Sequence, residues 1–311
     1  MKNILFINHK QKQCGVYQYG YRMGMILSKS IEYNFIYCEV DSQDEYLKLI
    51  EDYNPSGIIY NYHPDTMNWM SNVLINNFNK IIHYGIHHEG TPAIPILFNN
   101  YILNDSTQKD NKNYFSVPRP IFENDNLQYS TPSIPTIGSF GFGFNNKGFE
   151  RLCKLVNEQF DEAVIKFHIP FSYYGDNDGQ LAKSMIEKCK SLLTKEKIKI
   201  VASHEFLTDE GVLRFLSENT LNAFLYDDAQ SRGLSSVIDY AISVRVPIAI
   251  TKTNMFRHIS NTTPSICVED RALKEIIKSG VEPLQQYRDK WSNKNLITKF
   301  EYILNTTLNG K

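Results

Sequence analysis

The segment from Gly138 to Leu152, GSFGFGFNNKGFERL, places Gly141, Gly143, Lys147 and Gly148 ahead of a helical pattern. That combination is chemistry for an anion. Bare glycine backbone lets amide groups approach closely, and a lysine near a helix start adds charge where free N–H groups already favour it. Two common phosphate loops are excluded. A P-loop needs Gly-Lys-Ser/Thr, whereas here Lys147 precedes Gly148 and Phe149 follows, so no hydroxyl is offered to magnesium. A dinucleotide fingerprint needs G-x-G-x-x-G, and Asn146 stands where the third glycine belongs. The plain alternative is a strand-to-helix turn that needs glycine only for its backbone.

Other residues with chemical potential lie at predicted strand ends. His63 follows an apolar strand and precedes Pro64; a histidine there suits proton traffic near neutrality, or is simply a satisfied structural residue. His87, His88 and Glu89 form a polar cluster in YGIHHEGT. Neighbouring residues on a strand point to opposite faces, so the two histidines do not readily share one metal, and a site lining is the better expectation. In RGLSSVIDY, Gly233 permits close backbone approach, and Ser235 or Ser236 can cap the helix or donate to phosphate. Asp227 and Asp228 end another strand, as ligands to hydroxyls or as a turn-forming pair. Arg257 and His258 follow a further strand.

The elements that must position these residues alternate. NILFIN, YNFIYCEV, GIIYNYH and KIIHYGIHH are short apolar runs that read as buried strands. Helical patterns separate them, in VYQYGYRMGMILSKS, SQDEYLKLIEDY and TMNWMSNVLINNF, and YILND and YFSVPRP complete the sheet. Periodicity is lost in FENDNLQYSTPSIP. It restarts with TIGSFGFGF, AVIKFHI, IKIVAS, LNAFLYD and PIAITK as strands between helices. The expected organisation is a first Rossmann-like domain over 1–121, a linker over 122–135, and a second Rossmann-like domain over 136–292. A final helix over 293–311 is placed to pack back on the first domain. Such α/β sheets bind ligands at the carboxyl ends of their strands, so two facing domains predict a site in the cleft between them.

Bulk properties narrow the function. The chain has 311 residues and a formal net charge of −1, with its basic residues spread evenly, which argues against a nucleic-acid partner. No apolar stretch is long enough to span a membrane and no signal segment is visible, so no integral membrane segment is expected. The five cysteines are scattered without CxxC spacing and read as reduced thiols, which predicts a cytoplasmic protein with no zinc site.

Two Rossmann-like domains with a glycine-lysine loop opening the second resemble the GT-B glycosyltransferases, in particular the retaining family 4 enzymes. GSFGFGFNNKGFERL is similar to that family's G-R-x-x-x-x-K-G-x-x-x-L segment, with Gly141 as first glycine and Lys147-Gly148 as the Lys-Gly pair. CGVYQYGYRMGMIL resembles its first loop and helix, where Gly15 would let backbone approach the donor phosphate or the acceptor. GIIYNYHPDT resembles the strand whose histidine lies near the reacting sugar, here His63, and LNAFLYDDAQSRGLSSVIDYAISVRVPIAIT resembles the donor-binding segment. The family's two glutamates are replaced by Arg232 and Tyr240, and its loop arginine by Phe142; Arg232 can restore part of the lost charge.

The resemblance implies sugar transfer, with retention, from a nucleotide-sugar donor to a carbohydrate, lipid-linked or small-molecule acceptor. Gly15, Gly141, Lys147, Arg232, Gly233, Ser235 and Ser236 would hold the donor, His63 would orient the reacting groups, and no metal or other cofactor would be needed. A non-catalytic nucleotide- or glycan-binding relative and a sugar-nucleotide epimerase are the alternatives.

Overall fold

The computed structural model describes residues 1–12, 14–88, 97–123, 127–129, 132–172, 175–228 and 233–308. The chain folds as two compact units, Met1–Pro120 with Lys290–Lys311, and Ile121–Asp289.

The first unit contains β1 (Lys2–Asn8), α1 (Gly15–Leu27), β2 (Tyr33–Glu39), α2 (Gln43–Tyr53), β3 (Gly57–Tyr60), α3 (Asn72–Asn76), β4 (Ile82–His87), β5 (Asn100–Leu103) and β6 (Tyr114–Ser116). Its strands form one parallel sheet in the order β2-β1-β3-β4-β5-β6. Ile4, Leu5, Phe6 and Ile7 of β1 are all fully buried. Both faces of the strand are covered, which is why the run is continuously apolar and does not alternate. Local signals set the helix ends. Ser42 caps α2 by accepting from the Glu45 N–H, and Asn54, in the left-handed region at φ 42°, ends it ahead of Pro55.

Two boundaries differ from the sequence pattern. The helix expected over 66–78 is confined to α3, because Ser71 accepts from the Leu74 N–H and starts the helix there. Thr66 and Met67 instead bond back to the His63 carbonyl in a turn. The strand expected to reach His63 ends at Tyr60, and Asn61 still bonds to the Ile7 carbonyl before the chain turns away.

The second unit contains β7 (Thr136–Phe140), α4 (Phe149–Gln159), β8 (Ala163–His168), α5 (Gln180–Ser191), β9 (Ile198–Ser203), α6 (Asp209–Ser217), β10 (Leu221–Phe224), α7 (Val237–Ser243), β11 (Ile248–Ile250) and α8 (Leu273–Ser279). The sheet is again parallel, in the order β11-β10-β7-β8-β9. Its core joins Ile137, Ile165, Leu221 and Ala249 of the strands to Phe149, Leu152 and Val156 of α4 and Met185 of α5. Helix α9 (Gln285–Lys290) leads out of this unit, and α10 (Asn293–Leu308) buries Leu296, Phe300, Ile303 and Leu304 in the core of the first.

Each sheet has a switch point, where the strand order reverses and a crevice opens at the carboxyl ends. In the first it lies between β1 and β3, and in the second between β7 and β10.

Candidate functional site

The glycine-lysine loop occupies the switch point of the second unit. Gly141 leaves β7 at φ +146°, and its N–H is taken by the His168 carbonyl at 3.1 Å. Asn145–Lys147 form one 3-10 turn, and Gly148 enters α4 at φ +72°. Gly148 is required twice over. Its dihedral favours glycine, and a Cβ there would stand 1.8 Å from the Leu225 carbonyl oxygen. The loop is thereby laid against the end of β10, where Asp227 N–H donates to the Asn146 carbonyl at 3.0 Å and Arg151 pairs with the Asp227 carboxylate.

Lys147 lies with its ammonium 4.1 Å from the centroid of the Tyr226 ring, and no carboxylate pairs with it among the described residues. Tyr226 is 2% exposed, tilted against Phe256 with ring centroids 5.0 Å apart. Its hydroxyl has no hydrogen-bond partner among the described residues and lies 3.5 Å from where a Cβ on Gly141 would stand. A half-buried lysine, a buried hydroxyl and bare backbone therefore lie together at the carboxyl ends of β7 and β10. The N-terminus of α4 adds further positive character, with no side chain capping it. These groups are hydrogen-bond donors or positive in character. Tyr226 was not singled out by the sequence, because an aromatic at the end of an apolar run reads as core.

The second proposed anion-binding loop is built differently. Gly233 and Ser235 lie before α7, with Ser235 buried and its N–H bonded to the Met255 carbonyl. Ser236 occupies the capping position of α7 in helical geometry and makes no side-chain cap, so the expected capping role is not realised. Arg232 lies outside the described residues, as does Glu89 of the histidine cluster. Tyr240, where the resemblance places a glutamate, donates its hydroxyl to Asp209 at 2.5 Å and packs on Phe140. Asp228 is used locally, accepting from the Thr253 hydroxyl and the Asn254 N–H. Arg257 donates to the Asn254 carbonyl, and His258 is buried beside it.

In the first unit, polar side chains link four adjacent strand ends. Asn61, after β3, donates to the Asn8 carboxamide oxygen at 2.8 Å and to the Val16 carbonyl at 2.7 Å. His88, after β4, is 2.7 Å from the Asn61 oxygen through Nε2 and receives Asn104 Nδ2 on Nδ1 at 3.1 Å. An amide nitrogen only donates, so His88 is held as the neutral ring protonated on Nε2. Burial, reinforced by the charges of Arg119, His63, His87 and His9, holds its pKa well below the usual histidine value. His88 is a fully engaged member of a network. His87 is the last residue of β4.

His63 lies three residues beyond β3, its side chain 31% exposed, with Nδ1 accepting from the Asp65 N–H at 3.3 Å. His9, which no sequence motif marks, follows β1 directly across the switch point. It is buried, and Nδ1 accepts from the Gln11 N–H at 3.1 Å, so Nε2 carries the proton and has no partner among the described residues. Burial lowers its pKa to about 4, with His63 adding to the effect and Glu39 opposing it. The signal that picked out His63, a histidine at a strand's carboxyl end, also points to His9. Gly15 opens α1, exposed, and a Cβ there would meet nothing within 4 Å. No side chain caps that helix.

Among the described residues, no cluster of histidine, cysteine and carboxylate side chains is arranged to hold a metal ion, and no helix is long and apolar enough to cross a membrane.

No protein-family model matches the chain, and a search of curated proteins finds no relative. Solved structures do match. A glycosyltransferase from Rickettsia africae aligns with a TM-score of 0.72 at 11% identity, covering 100% of this chain and 99% of that one. Sucrose-phosphate synthase from Thermosynechococcus elongatus aligns with a TM-score of 0.70 at 9% identity, over 100% of both chains. HepE of Anabaena, in complex with UDP and glucose, aligns with a TM-score of 0.63 at 12% identity, over 98% of this chain and 100% of that one. The chain has the α/β fold of these proteins, with two parallel sheets, the GT-B fold.

Proposed function

We propose that the chain is a glycosyltransferase that takes a sugar from a nucleotide-sugar donor. The observation that carries this reading is the Gly141–Gly148 loop at the β7/β10 switch point, with Lys147 free of carboxylates among the described residues and set against Tyr226. Support comes from structures of the same fold: one is a glycosyltransferase from Rickettsia africae, and another, HepE of Anabaena, holds UDP and glucose. The donor diphosphate is assigned to this loop, where Lys147 and the α4 N-terminus neutralise its charge. In the transfer step an acceptor hydroxyl oxygen bonds to the anomeric carbon while the bond from that carbon to the diphosphate oxygen breaks. The nucleoside diphosphate leaves, and the hydroxyl proton passes to its freed oxygen. Transfer with retention, a carbohydrate or lipid-linked acceptor, a cytoplasmic location and a role for His63 toward the acceptor complete the proposal. No metal enters the scheme, so nucleoside diphosphate binding is expected to survive EDTA.

A thermal-shift panel of UDP, GDP and ADP with their sugar derivatives tests the reading. One nucleotide series should raise Tm, and the matching sugar donor should be hydrolysed slowly or transferred to an added acceptor. Stabilisation by none of them overturns the assignment. A second reading, a binding protein without catalysis, is favoured by one observation: Tyr240 is bonded to Asp209 and packed where the resemblance expects a carboxylate. Tight donor binding with no hydrolysis or transfer supports that reading instead.

A further inference from the structure

We propose that Tyr226 is a ligand-binding residue whose hydroxyl donates to a phosphoryl oxygen of the bound nucleotide, alongside Lys147. The inference rests on the donor assignment above and gives a role to a residue that lies within the segment resembling the donor-binding one but that no motif singles out. Tyr226 is 98% buried, yet its hydroxyl has no partner among the described residues. Buried hydroxyls are normally hydrogen-bonded, because removal from water without a replacement bond is unfavourable. Phenylalanine would fill the same volume without that penalty. The hydroxyl is not merely enclosed: it faces Gly141, 3.5 Å from the position a Cβ would take, so the missing side chain leaves it looking onto bare backbone.

The chemistry of the occupant follows from what surrounds it. The same ring carries the Lys147 ammonium at 4.1 Å from its centroid, and the Gly141 N–H is already committed to His168. The Tyr226 carbonyl is likewise taken, by the Thr251 hydroxyl at 2.6 Å. What remains to be satisfied is one O–H donor and one ammonium on a single ring. Two donors on one ring without an acceptor among the described residues suit an anionic oxygen, and within a nucleotide-sugar that means the diphosphate, not the base or the sugar. The ring has a second role: it holds Lys147 over its face in the absence of ligand, so the charge is positioned before binding.

Tyr226→Phe separates this role from a structural one, because it keeps the ring under Lys147 and removes only the oxygen. UDP and uridine are titrated calorimetrically into wild type and variant, with GDP and guanosine, and ADP and adenosine, as parallel series. The expected result is a loss of roughly ten- to a hundredfold in affinity for the diphosphate that wild type binds, the range for a hydrogen bond to a charged group. Affinity for the matching nucleoside should be unchanged, and Tm without ligand should be equal or higher, since an unpartnered buried hydroxyl has been removed. Equal diphosphate affinity in both proteins overturns the role of Tyr226 and leaves the donor assignment standing. A lower Tm with parallel losses for nucleoside and diphosphate also overturns it, in favour of a structural tyrosine. A wild type that binds no nucleoside diphosphate removes both the assignment and the inference.

Discussion

Replacing Lys147 with alanine tests the central loop most directly. In the unliganded chain its ammonium lies 4.1 Å from the Tyr226 ring centroid, a contact worth about 0.5–1 kcal/mol at a partly exposed site. A hydrogen bond from that ammonium to a charged phosphoryl oxygen contributes about 1.5–3 kcal/mol. If Nζ must leave the ring to reach the ligand, the two terms oppose, and the net contribution to binding is about 0.5–2.5 kcal/mol. That corresponds to roughly two- to seventyfold in Kd for a nucleoside diphosphate. If Nζ stays over the ring and the phosphate comes to it, the full contribution of about 1.5–3 kcal/mol is lost, roughly ten- to 160-fold in Kd. The bare nucleoside should bind Lys147→Ala as it binds wild type. Loss of the ring contact should also lower Tm by about 1–4 °C for a unit of this size. Calorimetric titration of UDP and uridine, with the guanine and adenine series in parallel, reads both outcomes. Equal losses for nucleoside and diphosphate, or none for either, would show that the loop is only a turn.

Four further expectations follow from individual residues. Gly148→Ala forces a left-handed backbone and a Cβ 1.8 Å from the Leu225 carbonyl, so it should cost at least about 1–2 kcal/mol and reduce soluble yield or Tm sharply. Gly15→Ala, with no neighbour within 4 Å, should change unliganded stability by no more than about 0.5 kcal/mol; any loss of ligand affinity there then reports backbone approach by the ligand. His63→Ala should lower turnover by about 10²–10⁴-fold with nucleoside diphosphate affinity retained, and an unchanged rate with a working acceptor removes His63 from the chemistry. Burial holds His9 and His168 neutral, each lowered from 6.5 to about 4, so between those values the unfolded chain binds more protons than the folded one. Stability should therefore fall as pH drops from 6.5 toward 4, by at most about 1.4 kcal/mol per pH unit for each histidine, with no contribution from them above that window. Urea unfolding at pH 7 and pH 5 should show a smaller loss for His9→Gln than for wild type, and identical losses would contradict the assignment.

The fold was legible because its signals are local and repeated. Strands such as Ile4–Ile7 are apolar throughout since both faces are covered, and Ser42, Ser71 and Thr208 each accept an N–H at the start of a helix. Of the two misplaced boundaries, the start of α3 is set by the local Ser71 cap, whereas the early end of β3 has a cause of another kind. Asn61 leaves the strand pattern because its side chain answers Asn8, Val16 and His88, partners distant in sequence. The candidate site was legible only where glycine spacing announced it. His9 shares with His63 the position at a strand's carboxyl end, but Tyr226 carries no motif, and its significance lies in a hydrogen bond missing among the described residues, which can be seen only once its neighbours are in place.

Three features meet at the β7/β10 switch point, and the stability of the chain alone does not explain all of them. Gly148 gives up the entropic advantage of a side chain to hold a left-handed dihedral at φ +72° under the Leu225 carbonyl. Lys147 is half-buried without a carboxylate, and Tyr226 keeps a hydroxyl out of water without a hydrogen-bond partner, among the described residues. A turn serving only to connect a strand to a helix gains no more than a ring contact from the second and nothing from the third. Both are resolved by the same addition, an oxygen anion placed between the ammonium and the hydroxyl. Two local features that one ligand would satisfy together are better explained by that ligand than by two separate accidents. Such a ligand implies a sign as well as a place. Removing the Tyr226 hydroxyl should help the empty protein or leave it unchanged and harm the liganded one, an opposition that packing alone does not produce.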